Sequence, residues 1–176
     1  MSMRNKSENA SAYSGEGNNA LLLYTYVPKE NTVERDGLLS TRLAEEGYRK
    51  YMDRFGTKER EDTLRALDRS IPGFQRSKSI SFLPSPIPDD ADPKLVDFAR
   101  RNRLYRVDAA QLLAAGMVRK AVVADKTLKY PEADLSKPMR IDWKKKKAGR
   151  YLFSNVPHLF LETTEGRIPP EFVTEP

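Results

Sequence analysis

Three prolines at alternate positions, Pro84, Pro86 and Pro88, limit what the chain can do just before them. Proline has no N–H to give to a ladder, so strand pairing through Ser79-Ile80-Ser81-Phe82 must end near Leu83. On an extended backbone Ser79 and Ser81 project to one face, and Ile80 and Phe82 to the other. One face is apolar and the other carries hydroxyls. A half-exposed strand with its serines in water fits this pattern. So does a strand that presents polar groups to a ligand at the mouth of a stiff loop, and the stretch 77–86 is therefore the centre of the candidate site.

The chain of 176 residues is long enough for one domain with a core of its own. It contains no cysteine, which excludes a disulfide scaffold, a thiolate metal site and a Cys nucleophile. His158 is the single histidine, so a multi-histidine metal centre is excluded and one imidazole base is available. A carboxylate-only metal site stays open, with no ligand assigned. No apolar run reaches the length of a membrane span, and the N-terminal residues lack the hydrophobic segment of a cleavable signal peptide. The expectation is a cytoplasmic protein, or an effector toxin delivered by another route. The net charge of +6 favours acidic partners. Part of that surplus is local: Lys144, Lys145, Lys146 and Lys147 follow Trp143 without a break, and Arg150 is close behind. A stacking ring beside a cationic run suits a nucleic-acid backbone. A solvated loop that keeps a sheet edge from pairing has the same composition.

Residues 1–19 are rich in Ser, Asn, Gly and charge and predict a disordered arm. The domain, 20–176, opens on the apolar run Ala20 to Val27, a strand stopped by Pro28. Asn31 and Glu34 have capping-box spacing, and Gly37 suits a helix C-terminus, so 32–36 predicts a short helix. Helical spacing continues from Ser40 or Thr41 to Phe55, where Tyr48 and Tyr51 are packing residues. A second helix follows Thr57, with Leu64 and Leu67 inward, and ends before Pro72. Asp92-Pro93 starts another helix. Leu104 to Val107 predicts a strand, Ala109 to Ala115 a helix stopped by Gly116, and Met117 to Ala124 a strand. Met139 to Trp143 is a further possible strand, Val156 to Thr163 a clear one, Glu165-Gly166 a turn, and Ile168 to Val173 an edge strand or extended tail. The order points to an α+β fold: a mixed or antiparallel sheet, an N-terminal helical segment, and helices on one side.

Taken in order, these motifs resemble the ADP-ribosyltransferase superfamily. Tyr24-Thr25-Tyr26 on the first strand, a short helix and Gly37-Leu38-Leu39-Ser40 resemble its opening. Ser79-Ile80-Ser81 is similar to the Ser-Thr-Ser motif of its second conserved strand, and Ile168-Pro169-Pro170-Glu171-Phe172-Val173 after a strand is similar to its closing step. The resemblance implies an ADP-ribosyltransferase-like fold with NAD as substrate. It implies contacts to the dinucleotide from Tyr24, Thr25 or Tyr26, hydrogen bonds from Ser79 and Ser81 to the ribose or to the catalytic group, and a phosphate clamp at Arg42. The family places a catalytic Glu near the start of the last conserved strand, and this chain has Pro157-His158 there. Glu162 at the far end of that strand is the first choice for the carboxylate and Glu165 the second. His158 is left for a different role, as in the related tRNA phosphotransferases.

The resulting expectation is transfer of ADP-ribose to a protein or nucleic-acid acceptor. Breaking the nicotinamide–ribose bond generates an oxocarbenium-like centre, which asks for positioning and charge stabilisation more than for a strong nucleophile. The alternatives are a non-catalytic basic module that grips nucleic acid through Trp143 and Lys144 to Lys147, and an RNA phosphotransferase-like enzyme that works on a phosphate with Arg and His.

Overall fold

The computed structural model describes residues 21–44 and 61–176. The arm at 1–19, the helical pattern beyond Ala44 and the cap at Thr57 lie outside the described residues.

Alternation of large apolar side chains builds the centre of the molecule. Strand β1 (Leu22–Pro28) pairs antiparallel with β4 (Asn102–Asp108), Leu23 opposite Val107 and Thr25 opposite Tyr105. In a second, three-stranded antiparallel sheet, β6 (Leu159–Thr163) lies between β3 (Ser79–Phe82) and β5 (Val118–Val123). The inner faces of the two sheets meet in one core, where Leu23, Tyr105 and Val107 pack with Ile80, Phe82, Leu159 and Leu161. Each fully buried Leu contributes about 1.5–3 kcal/mol by leaving water. A short ladder of β2 (Leu38–Leu39) and β7 (Arg167–Ile168) closes one end. Every strand ladder is antiparallel, so the described residues form an α+β arrangement of small sheets and a few helices.

The two larger sheets are stitched together where β3 runs into its prolines. Tyr24 N donates to Leu83 O at 2.8 Å and Leu83 N to Tyr24 O at 2.7 Å, after which regular pairing stops. The serine strand thus ends where its prolines require, against β1.

The helices are short and divide between cores instead of lying together on one side. Helix α1 (Val33–Asp36) and helix α4 (Ala109–Ala114) pack on the central core, whereas α3 (Pro93–Arg101) packs on a second one with Leu83, Ile87, Trp143 and Val156. Residues 61–69 form a further helix, α2, with Leu64 buried. Asp92 caps α3 by accepting from Lys94 N at 3.0 Å, ahead of Pro93 at the first helical position. The capping box expected of Asn31 and Glu34 does not form. Thr32 is the N-cap, and Glu34 instead accepts from Arg103 at 2.8 Å and from the Tyr105 hydroxyl at 3.1 Å.

Two strand expectations change for physical reasons. No strand forms over 139–143, because the outer edge of β5 is already taken: Val123 N donates to Pro131 O and Ala133 N to Ala121 O. The closing strand starts at Leu159 and not at Val156, whose side chain turns into the second core.

Gly37 ends α1 at φ 73° and ψ −161°, a region open to glycine alone, and a Cβ there would stand 2.0 Å from Ile168 O. Gly37→Ala is expected to destabilise the protein by about 3 kcal/mol or more, read by urea denaturation. Gly116→Ala has a similar φ but nothing within 4 Å of the added Cβ. It should cost only the backbone strain, about 1 kcal/mol.

Candidate functional site

Alternation along β6 puts His158, Phe160 and Glu162 on the face away from the central core, and the β3 register sets Ser81 opposite Phe160 and Ser79 opposite Glu162. The pairing therefore gathers the serines, the only histidine and one carboxylate on a single sheet face.

At the β1 end of that face lies a cavity of about 160 Å³ lined by Tyr24, Thr25, Tyr26, Ser81, Phe98, Phe153 and His158. Thr25 Oγ1 donates to Ser81 O at 3.0 Å, which fixes β1 against β3. The Tyr26 hydroxyl accepts from Ile87 N at 2.9 Å, its ring stands edge-on to Phe98 at 5.7 Å, and burial raises its pKa, so it is a fixed neutral phenol. Tyr24 is half-buried, with no side-chain hydrogen bond among the described residues.

His158 sits between Phe153 and Phe160, with ring centroids 6.3 and 5.5 Å away. Its Nδ1 lies 2.7 Å from Val156 O. A carbonyl can only accept, so Nδ1 carries the proton and Nε2 keeps its lone pair. Burial, reinforced by the nearby Arg76 charge, holds the imidazole below its ordinary pKa against the opposing pull of the carbonyl. The result is a neutral base in an aromatic slot.

A second cavity of about 250 Å³ begins on the other side of Ser81 and is lined by Thr41, Arg76, Ser79, Ile80 and Phe160 among others. Arg76 lies over the Phe160 ring at 4.7 Å and has no carboxylate partner among the described residues. Ser79 Oγ donates to Arg76 O at 2.8 Å and holds the turn that presents it. Each cavity is smaller than the roughly 300 Å³ of an ordinary small-molecule site. Both cavities include Ser81, so a ligand of nucleotide size on this face would span the two.

The other sequence-derived candidates lie elsewhere. Glu162 is 1 % exposed, and its carboxylate accepts from Gln75 N at 2.8 Å and forms a two-pronged ion pair with Arg119, which also donates to Gly73 O. It lines neither cavity. Its role is to pin the 73–76 turn, and hence Arg76, onto the sheet. Glu165 is exposed in the turn beyond β6, at the opposite end from His158. Arg42 donates to Ser77 Oγ at 3.1 Å and to Asp68 at 3.4 Å, inside a network where Asp68 also accepts from Ser77 N and Oγ. It braces the serine strand from behind. Trp143 is buried with its Nε1 donating to Ser85 Oγ at 2.9 Å, so it anchors its loop and offers no ring for stacking, while Lys144, Lys145 and Lys147 are exposed.

Sequence reasoning missed Arg76, Phe98, Phe153 and Phe160. Phe160 was available from its two-residue spacing to His158. Arg76 stands just outside the serine stretch, and only the turn at Arg76–Lys78 brings it back over the sheet. No family model, curated protein or solved structure matches this chain.

Three measurements check this geometry. Arg119→Ala strands a buried carboxylate and should cost about 2–4 kcal/mol, at the low end for such pairs because the guanidinium is half exposed. A double-mutant cycle with Glu162→Gln should give a coupling of at least about 1 kcal/mol. The unfolded chain protonates its histidine near pH 6.5, roughly, whereas folded His158 resists, so the unfolded state binds more protons below that pH. Stability is therefore full above the unfolded pKa and falls as pH drops from about 7 toward 5. His158→Asn should flatten that part of the Tm profile.

Proposed function

We propose that the protein is an ADP-ribosyltransferase-like enzyme that takes NAD, with the dinucleotide lying across Ser81. The nicotinamide end occupies the aromatic slot of Tyr24, Tyr26 and His158, and the phosphates lie toward Arg76. The observation that carries this reading is the junction of the two cavities at Ser81. An aromatic slot and a guanidinium with no carboxylate partner among the described residues adjoin the same hydroxyl, an arrangement that suits a dinucleotide.

The chemistry asks little of the protein beyond placement. The bond between ribose C1 and the nicotinamide nitrogen breaks, its electron pair leaves with nicotinamide, and an acceptor oxygen or nitrogen bonds to C1. The acceptor proton goes to His158 Nε2, the lone pair that points away from Val156. His158 thus stands in for the carboxylate that the resemblance implies near the start of the last strand. A second reading, phosphotransfer by Arg76 and His158, is favoured by one observation: among the described residues no carboxylate lines either cavity.

Thermal-shift and calorimetric titration with NAD and ADP-ribose, together with nicotinamide release, test the proposal. Both ligands should raise Tm, since both bind only the folded protein. Arg76→Gln should weaken both by about 10-fold or more. His158→Ala should lower nicotinamide release by at least about 100-fold with binding changed only a few-fold. Glu162→Gln should lose stability but retain turnover. No Tm response to millimolar NAD and ADP-ribose would overturn the reading. ADP-ribose binding without any nicotinamide release would move it to phosphotransfer.

A further inference from the structure

The loop over 143–153 is held at three points and leads straight into the His158 cavity. Trp143 is fixed to Ser85, Ala148 N donates to the Asp92 carboxylate at 3.0 Å, and Phe153 packs edge-on to Phe98 at 5.2 Å while lining the cavity. Between these anchors the loop turns its charge outward. Two residues before Phe153 stands Tyr151, 72 % exposed, with the Arg150 guanidinium 5.8 Å from its ring centroid. The Tyr151 ring is thus open to a ligand, with a cation beside it on a pinned loop.

The lysines are only weakly engaged. Lys144 reaches Asp90 and Lys145 reaches Asp142, each at 3.9 Å with the lysine side chains 78 % and 80 % exposed, and such pairs contribute little. The Asp92 carboxylate near Lys147 is already taken by Lys94 N and Ala148 N. Lys144, Lys145, Lys147 and Arg150 are therefore exposed cations on the same loop as the open Tyr151 ring, and that loop reaches the cavity wall at Phe153.

We infer that this surface binds a single-stranded nucleic acid, with phosphates along the cations and an unpaired base on Tyr151. A duplex hides its base faces and would leave Tyr151 unused, whereas a single strand uses ring and charge together. The inference rests on the proposed ADP-ribosyl transfer in one respect: the strand that docks here is then the acceptor, because the next residues along the loop line the cavity.

Fluorescence anisotropy of a labelled 12-nucleotide single strand with the full chain tests it. If the four cations each meet a phosphate, affinity should fall about 50-fold between 50 and 200 mM salt. Reversing Lys144, Lys145 and Lys147 to Glu should abolish most of that salt dependence. Tyr151→Ala should weaken binding about 5- to 100-fold and Tyr151→Phe should restore it. Binding that is absent, or that is unchanged in these variants, would overturn the inference. So would equal displacement by poly-glutamate, which would make the partner an acidic protein. The Tm response to NAD, measured on the same variants, should be unaltered. Loss of the NAD reading would appear as no NAD response in the unmodified chain while the oligonucleotide still binds, so the two failures are distinct.

Discussion

Strand β6 is paired on both edges and covered on both faces, and all five of its residues are buried. Leu159 and Leu161 enter the central core, while Phe160 meets Ile71, Phe74 and Val122 on the other side. A strand so enclosed has one admissible register, because a slip by one residue would drive Glu162 into the leucine core and take it from Arg119 and Gln75 N. That constraint sets Ser81 opposite Phe160 and delivers His158 to the mouth of the aromatic slot. The site is a consequence of how this one strand packs.

Charge plays two different parts around the strand. Glu162 with Arg119, and Asp68 with Arg42, are ion pairs that hold turns in place: the first grips 73–76 and the second the residues that lead into β3. With Glu162 and Asp68 engaged in this way, Arg76 lies over an aromatic ring beside the second cavity and has no acid partner among the described residues. His158 is kept neutral by its dry surroundings, which is the state a base must be in to accept a proton. The same geometry explains why a search for the catalytic carboxylate by distance along the sequence leads to Glu162, a residue on the right face but bound up in holding the fold.

Local patterns were legible wherever one physical rule dominates. The prolines ended pairing just past β3, at the Leu83 bridge, Asp92-Pro93 opened α3, Gly37 and Gly116 ended their helices at positive φ, and the two-residue alternation of Ser79 and Ser81 held. Less legible were elements whose fate depends on competition. The stretch 139–143 alternates like a strand but finds the β5 edge occupied by 131–133. The Asn31–Glu34 spacing has the form of a cap, yet Glu34 gains more from Arg103 and Tyr105, which are distant in sequence. Trp143 looked like a stacking ring because it adjoins four lysines, and burial against the second core makes it an anchor while Tyr151 takes the exposed position.

By itself the sequence determined the strand periods, their stops, the absence of thiol chemistry and the presence of one imidazole, because these follow from residue type and from neighbours along the chain. Tertiary structure alone decided which cation faces the serines, which carboxylate is bound up in an ion pair, and which ring is free. Those outcomes turn on which groups reach one another first across the folded sheet: a guanidinium that meets a buried carboxylate is lost to any ligand, and one that meets only a phenyl ring remains available.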